Sequence, residues 1–425
     1  MDAKKTGYSC HCSSMQWQEF LIEGISIMDI NTKREHHAFE TFIEAGEYYW
    51  FTEMGYNGLF KIDKKTMMAE FVGCFEGEKD TNRLFLNIVR YENKLVFVPL
   101  KAKAIAIYDI DTGRFSKIEL KETFANSGVI PYNPDCKCSF ATVYNESVYI
   151  FPITYPAVIK LNMRNYQMDY LEESILELQR WNLNRDGFYF RNGCKVNDNI
   201  IVWCNAICSL LRFNVLNENF EICSQLEAND DYIEVVCDEN DYWLIPRKDG
   251  EIIKLSKDYE VIEKISLPKA KVAEGISYLQ GVCSEKNLWV FPGVASQVIR
   301  ICKDNNKVEP GLEFEDNGLE RFQVERTDWK FFFAKILDDK IVAYNNFSGK
   351  LIFYDLKSEL VGKYRILTNI DIRESKETLL GALELSDDNV DGLGTHLYEG
   401  SRVKVNDFVD ALIYSEKELK EHLYS

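Results

Sequence analysis

Glu234 and Arg191 are the residues whose types and setting best suit them to chemistry. One carboxylate of adjusted pKa beside hydrogen-bond donors is enough to move a proton, as general acid or base. Asn87, Asn192 and Gln280 share with Glu234 one position in successive copies of a repeat, and Thr41, Phe140 and Phe333 take that position in the other copies. Around a common axis such a column can line a channel or ligand pocket. It can equally be spent on neighbouring strands, as buried polar groups generally must be. Arg247, Lys248, Lys101 and Lys103 fall on loops close in register to Arg191. Clustered, they would favour an anionic ligand or an acidic peptide.

The elements that position these residues follow from an internal period. Aligned on the place of Pro99, the anchors are Glu53, Pro99, Pro152, Cys204, Pro246, Pro292 and Asn345, spaced by 46, 53, 52, 42, 46 and 53 residues. A period of this size marks propellers and solenoids. The strand ending at each anchor runs YYWFT, LVFVP, VYIFP, IIVWC, YWLIP, LWVFP and IVAYN. A strand after it runs GLFKID, AIAIYDI, AVIKLNM, SLLRFNV, EIIKLSK, QVIRICK and KLIFYDL, followed by an Asp-, Asn-, Lys- or Gly-rich turn and a closing strand. That is hairpin grammar. With a further strand upstream of each anchor, seven units of four strands describe an all-β, seven-bladed β-propeller.

Two columns fix the register. Fourteen residues before the anchor stand Phe39, Phe85, Cys138, Phe190, Tyr232, Tyr278 and Phe331. Eight residues after it stand Lys61, Ile107, Lys160, Arg212, Lys254, Arg300 and Phe353, where long stems cover apolar surface and keep their charge in solvent. Residues 1–37 form an N-terminal segment whose stretch 21–32 echoes a third strand and offers closing strands. Residues 38–367 form the propeller, and 368–425 a C-terminal extension with a short terminal helix capped near Asn406 or Asp407.

Composition narrows the function. A net charge of −18 opposes nucleic acid and anionic membrane surfaces. With no apolar leader and no run of about 18 apolar residues, the chain is expected in the cytoplasm, its 12 cysteines reduced. The pairs Cys10 with Cys12, Cys136 with Cys138 and Cys204 with Cys208 lack the spacing of structural zinc sites, and the five histidines lie outside the clear blades, His36 and His37 reading as a solvated linker. Phosphate-binding glycine motifs are missing, so no metal and no cofactor are expected.

At the level of its repeat, V-x-x-P followed about eight residues later by I-[KR]-[LI], the chain resembles the β-propeller superfamily over about residues 38–367. It lacks the GH and WD dipeptides of WD40 repeats and the double glycine of kelch repeats, so no family's catalytic residues carry over. Propellers host scaffolds, hydrolases, lyases and cyclases alike. The long connections 121–137, 171–187 and 311–330, the prolines and the aromatic column converge on one face, where binding residues are expected. The first expectation is a cytosolic interaction module binding a protein or peptide there, with Trp181, Tyr155, Phe188 and Tyr56 as aromatic anchors and Arg247, Tyr232 and Tyr278 in the ligand-binding set. The alternative is an enzyme of lyase, cyclase or hydrolase type acting on a small or peptide substrate in the axial pocket, with Glu234 and Arg191 at its centre.

Overall fold

The computed structural model describes residues 37–55, 57–79, 81–122, 130–181, 187–226, 231–238, 240–269, 276–314 and 329–368. The N-terminal segment 1–36, Tyr56 and the C-terminal helix expected near 406–423 lie outside these residues. Seven antiparallel sheets follow one another as blades 1 to 7, over 43–73, 85–119, 138–171, 193–225, 232–266, 278–310 and 331–365. The innermost strands are Ile43–Ala45, Phe85–Tyr91, Cys138–Tyr144, Gly193–Val196, Tyr232–Cys237, Tyr278–Cys283 and Phe331–Leu337.

The blade pattern follows from where each strand's side chains go. Second strands such as Leu95 to Pro99 are buried throughout, because both of their faces pack against neighbouring blades, and they read as continuous apolar runs. Outer strands such as Arg114–Glu119 meet solvent and carry charge. Between the blades lie large aromatic contacts, for example Trp50 on Tyr108 at 5.3 Å and Trp289 on Tyr354 at 4.8 Å between ring centroids. The turn from third to outer strand contains one left-handed residue in every blade: Met67, Gly113, Tyr166, Glu218, Tyr259, Asn306 and Glu359. Asp63, Asp109, Asn162, Asn214 and Asp355 open five of these turns and accept backbone N–H bonds from two or three residues ahead. This is the local reason for the Asp/Asn signal in the sequence.

The basic column of the third strands lies over aromatics of the second strands, with Lys61 on Tyr48, Lys160 on Tyr149, Lys254 on Trp243 and Arg300 on Trp289. Each charge also meets a carboxylate, as in Lys61 with Glu70 and Arg300 with Glu309. The column is therefore ion-paired as well as stem-packed.

The ring closes between blades 7 and 1 by packing and by one added strand. Phe39 stacks on Tyr344 at 4.2 Å, and Phe42 meets Phe333 edge-on at 4.6 Å. Leu367–Thr368 then pairs in parallel with Met68 and Ala69, making a fifth strand on the outer edge of blade 1. His37 is not a solvated linker residue. It is buried, its Nδ1 lies 2.9 Å from Glu53 Oε2, and its carbonyl accepts the hydroxyl of Tyr344. Glu53 also accepts the amide of Ala38, which accounts for a glutamate at an anchor position otherwise held mostly by proline.

The connection after blade 3 also departs from a simple surface loop. Its first half is a helix, α1 (Glu172–Gln179), which packs against the third strand of blade 3 and the outer strand of blade 4. Ser174, Ile175 and Leu178 are its buried residues, and Ser174 donates to the carbonyl of Glu218. So the described start of this connection runs along the flank, and Phe188 stands at the loop face, where its amide bonds Ile153 O.

Candidate functional site at the axial mouth

Where the innermost strands begin, the loop face is held by a belt of backbone hydrogen bonds. The residue after each anchor bonds to the approach of its own inner strand, and the next blade bonds back to it. The series includes Met54 N to Ala38 O (2.7 Å), Arg83 N to Met54 O (2.8 Å), Leu100 N to Leu84 O (2.9 Å) and Lys137 N to Leu100 O (3.0 Å). It continues through Ile153 N to Lys137 O (2.7 Å) and Phe188 N to Ile153 O (2.8 Å). On the far side Ser277 N reaches Arg247 O (2.9 Å), Lys330 N reaches Gly293 O (2.8 Å) and Asn346 N reaches Lys330 O (2.9 Å). With its backbone spent this way, the rim is a rigid mount for side chains.

Just inside the rim, bulges offset the inner strands against the second strands at Phe85/Asn87, Tyr232/Glu234, Tyr278/Gln280 and Phe331/Ala334. Bulges re-aim side chains and are common beside sites. The column read from the sequence sits here, and most of it is structural. Asn192 Nδ2 donates to Glu234 Oε2 at 2.5 Å, and the amide of Gly281 donates to Glu234 Oε1. Gln280 Oε1 accepts the amide of Ala334 at 2.7 Å. Blades 4, 5, 6 and 7 are thus laced together by Asn192, Glu234 and Gln280, whereas Asn87 only caps the amide of its neighbour Ile88. Position 281 must be glycine for this approach, since a Cβ there would lie 2.7 Å from Val236 Cγ2. Burial pushes the Glu234 carboxyl up to about 7, against the opposing pull of its bonds to Gly281 and Asn192 and of the Arg191 charge. Across the seam, Lys335 Nζ donates to Phe42 O at 2.6 Å, and burial lowers this amine to about 8.

A second group, Glu40, Arg83 and Arg191, lies ahead of the inner strands of blades 1, 2 and 4, and it is bonded very differently. Arg191, just ahead of the inner strand of blade 4, stretches across the axis to blade 7. There its Nη2 lies 3.5 Å from Phe332 O and its guanidinium 5.8 Å from the Trp329 ring centroid. Glu40 of blade 1 forms an ion pair with Arg83 of blade 2, and its side chain is only 8% exposed. Burial raises the Glu40 carboxyl, while Arg83, Arg191 and Lys101 pull it down, so all three cations act on one carboxylate. Burial and the Arg83 charge both push Lys101 below its ordinary range. Arg83 Nη2 sits against Glu40 Oε1, while Arg83 Nε has no hydrogen-bond partner among the described residues.

The other expected residues divide. Lys101 joins Arg191 through this cluster, but Arg247 faces Asp231, with Nη1 at 3.4 Å from Oδ2, and Lys103 and Lys248 stand exposed. Tyr155 and Phe188 are fully buried, and the Tyr155 hydroxyl donates to Lys121 O at 2.7 Å, so neither is available as a surface anchor. Tyr232 and Tyr278 are likewise core residues, Tyr232 edge-on to Trp203 and Tyr278 hydroxyl-bonded to Pro268 O at 3.0 Å. The aromatic column fills the space between blades because it begins the strand on the packed side of the bulge. Trp181 is half-buried against the core of blades 3 and 4. Glu40 and Arg83 are the residues that the twelve-before column misses. The adjacent column, thirteen before the anchor, reads Glu40, Leu86, Ser139, Arg191, Ile233, Leu279 and Phe332, in which two opposite charges stand out among mainly apolar residues.

Among the described residues, no helix is long and apolar enough to cross a membrane. No family model matches the chain, and no curated protein matches it. Among solved structures it is similar to a streptogramin B lyase, with 13% identity and a TM-score of 0.54 over 73% of this chain and 91% of that one. It is also similar to PorZ, a bacterial surface component of the type-IX secretion system of Porphyromonas gingivalis, with 12% identity and a TM-score of 0.50 over 79% of this chain and 39% of that one. Identities this low speak to architecture alone. The chain is a seven-bladed β-propeller of four-stranded blades, matched to no narrower family.

Proposed function

We propose that this propeller is a cytosolic binding module that takes a protein or peptide partner on its loop face, with the axial mouth as the point of recognition. The observation that supports it is that Arg83, paired with the buried Glu40, stands at the mouth with Arg191 and Lys101, whose charges also act on Glu40 as well as on Glu234 and Asp135, in a chain whose net charge is −18. A local cationic cluster in an acidic protein selects acidic partners and repels basic ones. Recognition by charge also fits the placement of apolar groups. Among the described residues, the exposed Ile222, Val261, Ile262, Val361 and Tyr364 lie on outer strands, away from the mouth. The cytosolic setting belongs to the same proposal, on the composition given above.

The test compares immobilised wild type with an Arg83→Met, Arg191→Met double variant, both exposed to acidic and neutral peptides of equal length. Wild type should retain acidic peptides in a salt-sensitive way and the double variant should lose them. Equal retention by both proteins removes the mouth as the recognition point.

A second reading, an axial enzyme, is favoured by one observation: the Glu234 carboxyl pushed up to about 7, in the range a general acid or base needs. Its oxygens are committed to Asn192 and Gly281, so turnover would require that lacing to open. Comparing substrate-derived products formed by wild type and Glu234→Gln separates the two readings.

A further inference from the structure

We infer that Lys335, at the axial seam between blades 7 and 1, is a nucleophilic amine that condenses with an aldehyde or ketone to form an imine, with the Thr41 hydroxyl as donor to the carbonyl oxygen. The inference goes beyond the binding-module reading and does not depend on it. Both groups sit on one acceptor. Lys335 Nζ donates to Phe42 O at 2.6 Å, and Thr41 Oγ1 lies 3.5 Å from the same oxygen. Phe42 immediately precedes the innermost strand Ile43–Ala45, so the pair stands at the axial end of the seam. The centroid of the Phe42 ring lies 5.8 Å from Nζ and gives the carbon skeleton of a substrate an apolar wall.

Lys335 is held unlike the lysines of the third strands. Lys61, Lys160 and Lys254 each face a carboxylate, as in Lys254 Nζ to Asp241 Oδ2 at 2.9 Å. Among the described residues Lys335 meets no carboxylate: its polar partner is a carbonyl, and no neighbouring charge alters its titration. An ammonium withdrawn from water without a counter-charge is costly, and shedding its proton removes that cost. Burial accordingly lowers the amine to about 8, which leaves a reactive neutral fraction near neutral pH. The residue is nonetheless only half-buried, so its side chain is not sealed into the core. In the step itself the nitrogen lone pair attacks the carbonyl carbon and the C–N bond forms. The two protons of the neutral amine pass to the former carbonyl oxygen, which leaves as water while the C=N bond closes. Nothing is oxidised or reduced. The Thr41 contact is at the limit of a hydrogen bond, so the hydroxyl can turn from Phe42 O onto the substrate oxygen.

Imine trapping tests this. The full chain is exposed briefly to benzaldehyde and quenched with borohydride, which reduces each imine to a stable secondary amine, and the labelled lysines are mapped by mass spectrometry. At about neutral pH Lys335 should be labelled about tenfold or more faster than the exposed Lys103 and Lys248, because more of it is neutral. Its labelling should reach half its maximum at about pH 8, below the ordinary range of a lysine. Thr41→Val should slow labelling of Lys335 about threefold or more and leave that of Lys103 and Lys248 unchanged, with thermal unfolding to confirm that the variant is folded. Labelling of Lys335 no faster than that of the two exposed lysines, or a half-maximum at about pH 10 or above, overturns the inference and leaves Lys335 as a latch across the seam. Unchanged labelling in Thr41→Val overturns the part given to the hydroxyl.

Discussion

Two groups of polar side chains lie near the start of the inner strands, Asn192, Glu234 and Gln280 in blades 4 to 6 and Glu40, Arg83 and Arg191 just ahead of blades 1, 2 and 4, and they are used in opposite ways. In the inner ring Asn192, Glu234 and Gln280 have protein partners in neighbouring blades. In the outer ring Glu40 and Arg83 hold each other by an ion contact that leaves Arg83 Nε without a partner among the described residues, and Arg191 makes one long contact across the axis while its charge faces Glu234 and Glu40. Polarity near an axis is therefore a poor marker of a site. What separates a structural group from one held ready for a ligand is whether its donors and acceptors are already satisfied, which for buried groups decides several kcal/mol.

The largest expected effect is in the inner ring. Glu234→Ala would leave the Gly281 amide and the Asn192 side chain without acceptors and open a small cavity, so stability should fall by about 4 kcal/mol in urea unfolding. A loss below about 1 kcal/mol would show that the lacing is incidental. The same residue sets a pH dependence. The folded carboxyl holds its proton to about 7, whereas the unfolded one releases it near 4.5, so the native state binds more protons in that window. Its contribution is full below about pH 4.5 and is lost as pH rises to about 7, amounting to about 3 kcal/mol. Glu234→Gln lacks this term. The stability difference between variant and wild type should therefore shift by about 3 kcal/mol in the variant's favour between pH 4.5 and 7.5.

How much of this was legible in the sequence differs between the rings. The anchors, the third-strand column and the aromatic column all repeat, and the sheets follow them, because second strands buried on both faces must be apolar in every blade. Asn192, Glu234 and Gln280 were visible as a column for the same reason. Glu40 and Arg83 were not, because their partnership joins different blades at different offsets from the anchor, and a bulge shifts the facing of consecutive residues. Tyr155, Tyr232 and Tyr278 carried no sequence signal to separate a core ring from a surface anchor. The helix at 172–179 was hidden because its N-cap is Leu171, with no side-chain cap to announce it.

At the mouth the expected effects are smaller and depend on pairing. Glu40→Leu or Arg83→Met alone should each cost about 2 kcal/mol, since each strands a buried opposite charge. The double variant should recover part of that loss, because neither Glu40 nor Arg83 is then left facing the gap of its missing partner. Additive losses in that cycle would place Glu40 and Arg83 with the structural ring.

The smallest effect is expected in the third-strand column, which calibrates the other two. Arg212 meets Glu221, but their side chains are 38% and 50% exposed, so water screens the pair and competes for its hydrogen bonds. Arg212→Met keeps most of the stem's apolar cover while removing the charge. Its stability should differ from wild type by less than about 0.5 kcal/mol at moderate salt. A larger loss, vanishing in high salt, would mean that repeated surface charge, and not only the inner lacing, holds the blades in register.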